Sequence, residues 1–350
     1  MHLPAIHLLL AQAGLSLLPV LIFLFALELI DTYKLLTLRR VLRTVAVGCG
    51  VAIICYALNT AIYRTGLVSP AVWARSGAPV VEEFAKCLYV AWLLRTNRVG
   101  FMVDAAVSGF AVGAGFALVE NLTYLADMST AALLTSAVRG LGTAMMHGGT
   151  TAIFGLVSVS LSELRESRSA LLWLPGLAAA FVIHILYNQP FWSPVTAAVV
   201  VLVALPILMS LIFWRSEKAL EGWLGSKLDK DIDLLQAMTT GAFSSSPAGR
   251  YLRSLESSFV PTILGDMLSY VQLSLELSAR AKGDLLRREM GFPVVVDEEL
   301  GAQLKELRWL ESQIGRAGKM ALAPLIGQSR RDIWELQHLA DQEQESAGSH

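Results

Sequence analysis

Apolar residues form blocks of about 20 through the first 214 positions, and short polar stretches separate the blocks. A helix needs about 20 mostly apolar residues to cross the hydrocarbon core of a bilayer. The first block lacks a basic leader and a small-residue cleavage site, so we expect it to be kept as a helix. The pattern predicts about seven membrane-spanning helices, at roughly 11–30, 44–63, 79–94, 101–125, 132–161, 171–188 and 195–214.

Two local signals refine the third and fourth of these spans. Ser76 is placed to cap the third helix, and Pro79 suits its first turn because the ring needs no amide hydrogen there. In the fourth span, Gly109, Gly113 and Gly115 are small residues of the kind that let membrane helices approach closely. We therefore expect this helix to pack tightly against a neighbour.

Composition supports the membrane prediction and divides the chain. Of the 350 residues 54% are hydrophobic and 16% charged, whereas soluble domains carry about 25% charged residues. Residues 1–214 hold 12 basic and 9 acidic residues, and residues 215–350 hold 16 and 20. We predict an all-α polytopic membrane protein, with a transmembrane bundle at 1–214, a soluble helical domain at 215–340 and a polar disordered tail at 341–350.

The soluble part shows helical spacing of apolar residues at 220–238, 251–281 and 300–314, with breaks at 241–247 and 291–293. It carries no catalytic motif, so we expect it to bind a cytoplasmic partner or to regulate the bundle. The net charge of −1 and the lack of a basic stripe argue against nucleic-acid binding.

Basic residues mark one side of the predicted bundle. The loops 34–43, 95–98 and 163–168 and the start of the soluble part carry about ten lysines and arginines, whereas the loops on the other side carry Arg64 and Arg75. Because basic loops stay in the cytoplasm, this places the N-terminus outside and the C-terminus in the cytoplasm. We expect the bilayer to be a bacterial plasma membrane.

Polar residues interrupt the apolar blocks at positions of similar predicted depth. Each charge at mid-membrane costs about 3 kcal/mol, so such residues are kept where they are paired or used. Glu82 and Lys86 are four residues apart and can form an ion pair on one helix face. We predict that the interrupting residues form one intramembrane site: Glu82, Glu83, Lys86, Glu120, Asn121, Arg139, His147, His184 and Asn188.

The motifs that these residues form resemble the PrsW family of intramembrane proteases. They are Glu-Glu-x-x-Lys at 82–86, Phe-x-x-x-Glu-Asn at 116–121, Arg139 followed by Met-His-Gly at 146–148, and His-x-x-x-Asn at 184–188. The family is related to the CAAX prenyl endopeptidases and the bacteriocin-immunity membrane proteins. The resemblance spans about 13–214 and includes the Asp-x-x-Lys turn at 31–34.

The resemblance implies hydrolysis of a peptide bond in a membrane-anchored protein, and PrsW itself is known for site-1 cleavage of an anti-sigma factor. The CAAX relatives have a histidine where this chain has Glu120. The role of that histidine therefore cannot be assigned to position 120. We expect His147 to take this role instead.

Two mechanisms are compatible with these residues. In the metal-free version, which we favour here, Glu82 is the general base beside Glu83 and Glu120, and His147 orients the water or returns the proton. His184 and Asn188 then donate to the oxyanion, while Lys86, Asn121 and Arg139 support the carboxylates. No cofactor is needed.

In the alternative version, zinc is held by Glu120, His147 and His184, and Glu82 or Glu83 is the base. The ligand types suit zinc, although the chain has no His-Glu-x-x-His helix.

Two non-proteolytic functions are also compatible with buried polar residues. A proton-coupled transporter would show inverted repeats or paired broken helices, and the sequence shows neither. A membrane scaffold or sensor that recruits partners through its soluble part would tolerate Glu82→Gln, which a protease would not.

Overall fold

The computed structural model describes residue 25 and residues 38–347, apart from 128–132, 166, 168, 192, 293–298 and 327–329. The predicted span at 11–30 and the turn at 31–34 lie outside the described residues. Within the described ranges every regular element is a helix. The α-helices are α1 (Leu38–Thr65), α2 (Pro70–Val72), α3 (Ala78–Arg95), α4 (Met102–Asp127), α5 (Leu133–Leu164), α6 (Leu174–Tyr187), α7 (Pro194–Thr239), α8 (Pro247–Ser254), α9 (Pro261–Glu289), α10 (Glu299–Leu322) and α11 (Arg330–Ala347).

Four helices in the described part of the chain are long and apolar enough to cross a membrane. They are Leu38–Thr65, Met102–Thr123, Gly140–Leu164 and Ala170–Tyr187, and a shorter apolar helix covers Val195–Leu208. The helix α3 is not among them, since it carries four charged residues in 18. The predicted fold class, a helical membrane bundle followed by a helical C-terminal region, is confirmed. The number of seven spans stays a prediction.

Glycines allow close helix contacts in the described part of the bundle, as the sequence predicted for α4. A Cβ atom at Gly113 would lie 2.0 Å from the carbonyl oxygen of His147 in α5, and one at Gly109 would lie 2.5 Å from that of Thr151. A Cβ atom at Gly115 would lie 2.0 Å from the carbonyl oxygen of Val45 in α1. The helix α4 therefore packs backbone to backbone against two neighbours, and one of these contacts is at His147.

The start of α3 differs from the prediction. Ser76 does not cap the helix, because residues Trp73–Gly77 form a π-helical turn that runs directly into it. The residue before α3 is Gly77, which makes no side-chain capping bond, while Pro79 lies in the first turn as expected. A wider turn thus replaces the predicted cap at this point.

The chain divides into two compact units, Met1–Ser216 and Glu217–His350. This division lies two residues beyond the boundary proposed at Trp214. It does not coincide with a helix end, because the single helix α7 contains both residues.

The second unit has its own apolar core, which is formed mainly by leucines of α9 and α10. The helix predicted at 251–281 is two helices, since α8 ends at Ser254 and Pro261 begins α9. The predicted breaks contain Gly241 and Gly291, both at positive φ. The polar tail proposed at 341–350 begins inside α11, which is helical to Ala347.

Candidate active site inside the helical bundle

Four ionisable side chains from three helices are buried together in the described part of the membrane unit. Glu83 and Lys86 of α3 and His147 of α5 are 0% exposed, and His184 of α6 is 2% exposed. Buried ionisable groups are tolerated when they pair with one another. These four side chains form the centre of the candidate site.

Glu83 forms hydrogen bonds with two of the other three side chains in this centre. Its Oε1 lies 2.7 Å from Nζ of Lys86 and 2.7 Å from Nδ1 of His184. The ion pair that the sequence predicted between Glu82 and Lys86 is therefore replaced by the i,i+3 pair between Glu83 and Lys86. The other oxygen, Oε2 of Glu83, is buried and has no hydrogen-bond partner in the described part of the chain.

His147 connects the centre to Glu120 of α4. Its Nδ1 lies 2.9 Å from Nζ of Lys86, and its Nε2 lies 2.5 Å from Oε2 of Glu120. The ring also packs against Phe116, with the centroids 4.8 Å apart, and stands edge-on to the ring of His184 at 4.7 Å. The close approach of Gly113 to the His147 backbone brings these groups within reach of one another.

The partners assign the protons of the two histidines. A charged lysine can only donate, so Nδ1 of His147 accepts from Lys86, and Nε2 carries the proton that it donates to Glu120. A carboxylate can only accept, so Nδ1 of His184 donates to Glu83. In the neutral ring, Nε2 of His184 then holds a free lone pair.

Two carboxylates of the site are partly exposed. The side chain of Glu82 is 15% exposed and that of Glu120 is 26% exposed. Oε1 of Glu82 accepts a hydrogen bond from Nδ2 of Asn59 at 3.1 Å, and Oε2 lies 3.9 Å from Nε2 of His184. Glu82 and Glu120 are thus the carboxylates that a substrate or water can reach.

Three residues of the candidate site have side chains that suit a metal ion. Ligand atoms of Glu82, His147 and His184 lie within 4.8 Å of one another. The predicted set had Glu120 where this group has Glu82. The lone pair of His184 and the buried unpaired oxygen of Glu83 both favour a cation here. The hydrogen bond from His184 to Glu83 is the arrangement that commonly orients a metal-binding histidine.

Two other predicted site residues, Asn121 and Asn188, donate hydrogen bonds to backbone carbonyls. Nδ2 of Asn121, which is buried, donates to the Gly140 carbonyl at 3.0 Å and so joins α4 to α5. Asn188 follows α6 and donates to the Ala74 carbonyl at 3.4 Å. The side chain of Arg139 lies outside the described residues.

Sequence reasoning missed Asn59 and Trp73. Asn59 contacts Glu82, and its Oδ1 accepts from Nε1 of Trp73 at 3.2 Å. A signal for Asn59 was present, because it is the one amide residue in the apolar block at 44–63. Trp73 gave no such signal, since it lies in a short loop by its sequence.

Comparison with known proteins places the bundle in a family. A family model described as PrsW family intramembrane metalloprotease matches residues 37–213, about half of the chain. No curated protein and no solved structure matches the chain. The matched range contains every residue of the candidate site.

Proposed function

This chain belongs to the PrsW family of intramembrane metalloproteases, and we propose that it hydrolyses a peptide bond of a membrane-anchored protein at the Glu82–His147–His184 group. The observation that carries the proposal is the convergence of these three side chains, from three helices, within 4.8 Å. A purely structural cluster has no need of two carboxylates that are partly exposed at its edge.

We propose that Glu82, His147 and His184 hold a divalent metal ion, with zinc as the ion that suits their ligand types. Three carboxylates, at positions 82, 83 and 120, face one ammonium at Lys86. When all are ionised, this leaves two negative charges for a divalent cation to balance. Such an ion supplies Lewis acidity, which polarises a carbonyl group and acidifies water.

The protein side chains around such an ion would fix the positions of its ligands and transfer protons. Glu83 keeps the proton of His184 on Nδ1, and Lys86 holds Glu83 in place. Glu120 accepts a hydrogen bond from Nε2 of His147 and so orients its ring. As a partly exposed carboxylate, it is also the group we assign to take a proton from water and return it to the leaving amine.

A metal-free version of the same protease has one specific observation in its favour. Both ring nitrogens of His147 are engaged, one by Lys86 and one by Glu120. In that version Glu82 acts on water as a general base. Asn188 stays a predicted oxyanion donor, although its amide contacts Ala74.

The basic loops, and not the site, support a proposal for the orientation of the chain. We propose that the C-terminus lies in the cytoplasm, where the second unit would bind a partner. A regulator such as an anti-sigma factor fits the substrate class, because it is membrane-anchored.

The test compares membrane-protein fragments in cells that carry wild type, Glu82→Gln or Glu163→Gln at matched levels of folded protein. Glu163 lies near the end of α5 and outside the site, so its variant controls for the loss of one carboxylate. Fragments that appear with wild type and Glu163→Gln but not with Glu82→Gln support the proposal and reveal a substrate. Identical fragment sets in all three strains would refute it.

A further inference from the structure

We propose that Asn59 and Trp73 form a hydrogen-bond relay that orients Glu82, and this inference rests on the function proposed above. Nε1 of Trp73 lies 3.2 Å from Oδ1 of Asn59, and Nδ2 of Asn59 lies 3.1 Å from Oε1 of Glu82. The three residues come from the π-helical turn, α1 and α3. Neither Asn59 nor Trp73 belongs to the group of metal-ligand types, so both are positioning residues.

The hydrogen bonds of this relay can be donated in one direction only, from Trp73 to Asn59 and from Asn59 to Glu82. An indole N–H donates and cannot accept, so it selects the amide oxygen of Asn59 as its partner. The amide nitrogen of Asn59 must then face Glu82, and a carboxylate accepts from it. Without Trp73 the amide could rotate by half a turn, which would place its oxygen against the Glu82 oxygen.

The position of Trp73 depends on the local backbone. A Cβ atom at Gly77 would lie 2.2 Å from the Trp73 ring, so the ring occupies space that only glycine leaves open. Turns of π-helix within or beside α-helices occur frequently at functional sites. Here the turn Trp73–Gly77 places the indole beside α1, where Asn59 accepts its hydrogen bond.

The relay decides which Glu82 oxygen is available for chemistry. Asn59 engages Oε1, and Oε2 is left on the side of His184 at 3.9 Å. A glutamate side chain has three rotatable bonds, and that of Glu82 is partly exposed. Without a partner on Oε1 this carboxylate would sample several orientations, and fewer of them would be productive.

The experiment measures cleavage of the substrate that the wild-type and Glu82→Gln comparison reveals, with purified full-length protein in detergent. We expect Asn59→Ala to lower kcat about 10- to 100-fold, the usual effect of losing a residue that orients an active-site ligand, with KM unchanged. Trp73→Phe should lower kcat about fivefold, since it removes one hydrogen bond and keeps an aromatic ring. Asn59→Gln, which keeps the amide, should retain more activity than Asn59→Ala.

Trp92→Phe is the matched control, because Trp92 lies on α3 with 45% of its surface exposed. It should leave kcat unchanged. The double variant Trp73→Phe/Asn59→Ala should be no slower than Asn59→Ala alone, because Trp73 acts through Asn59. A merely structural role for the two residues would instead give effects that multiply and that follow the loss of folded protein.

The outcomes separate this inference from the proposed function. If wild type cleaves and Asn59→Ala cleaves equally fast, the relay is refuted while the protease stands. Multiplying effects in the double variant refute it as well. Should Asn59→Ala fail to fold, the comparison of Trp73→Phe with Trp92→Phe decides, and equal rates refute the relay. If the wild-type strain produces no fragment that is absent from the Glu82→Gln strain, both proposals fail.

Discussion

Nδ1 of His184 lies 2.7 Å from Oε1 of Glu83, although the two residues are 101 positions apart in the chain. The same oxygen accepts from Lys86 at 2.7 Å. Glu83 is fully buried, whereas its neighbour Glu82 is partly exposed and carries the oxygen that faces His184. We therefore propose separate tasks for the two adjacent glutamates, with Glu83 holding the site together and Glu82 taking part in its chemistry.

These tasks predict different results for the same substitution. Glu83→Gln leaves the Lys86 charge buried without its carboxylate, and breaking a buried ion pair costs about 3–5 kcal/mol. It should therefore lower the unfolding temperature and stop cleavage. Glu82→Gln should stop cleavage with little change in the unfolding temperature. Thermal unfolding of both variants in detergent checks this, and equal unfolding temperatures would contradict it.

The contact between α4 and α5 predicts the effect of one methyl group. Gly113→Ala places a Cβ 2.0 Å from the carbonyl oxygen of His147, and backbone cannot yield as a side chain can. We expect a loss of about 1–3 kcal/mol in stability and a large loss of cleavage, because His147 moves from Glu120. Gly50→Ala is the control, since its Cβ meets no described atom within 4 Å. Similar activities of the two variants would show that this helix contact does not position the site.

Metal content decides between the two mechanisms. We expect purified wild type to contain one equivalent of a divalent metal, and His184→Ala to lose it together with activity, because Nε2 of His184 is the free ligand atom. His338→Ala, which alters a buried histidine in the second unit, should keep the metal. Elemental analysis by mass spectrometry measures this directly. Full cleavage activity by metal-free protein after chelation would favour Glu82 as a general base.

A buried ion cluster in the second unit predicts a pH dependence. The pKa of Glu335 is raised to about 7, mainly by burial and to a smaller extent by Asp332, although Lys282 and Ser278 oppose the rise. Lys282 also pairs with Asp231 at 2.8 Å. The folded state therefore binds more protons than the unfolded state between about pH 4.5 and 7, so stability falls as pH rises through this window and is level above it.

The free energy of unfolding of the second unit should fall by at most about 3 kcal/mol across this pH window. Glu335→Gln should remove most of this fall, and Glu276→Gln, at an exposed position on α9, should not. Hydrogen exchange of α9 and α11 in the full-length protein, corrected for intrinsic rates at each pH, measures the change. A slope that survives in Glu335→Gln would assign the effect to another group.

Much of the membrane unit could be predicted because its physical cause is local. A bilayer requires long apolar helices, so hydropathy alone located α1, α4, α5 and α6. The helix contact at Gly113 was also predictable, since small residues at this spacing have few other uses in a membrane. The π-helical turn before α3 was not, because its wider geometry depends on the ring of Trp73 over Gly77.

The sequence by itself identified most residues of the candidate site, although not Asn59 or Trp73, because each charge or imidazole inside an apolar block must be paired or used there. Only the tertiary structure decided which of these side chains contact one another. Successive residues on a helix point about 100° apart, so Glu82 and Glu83 face different neighbours. The positions of the two glutamates in the sequence do not reveal which of them contacts Lys86 and His184. Those neighbours come from α1, α5 and α6, and their positions are fixed only when the helices pack.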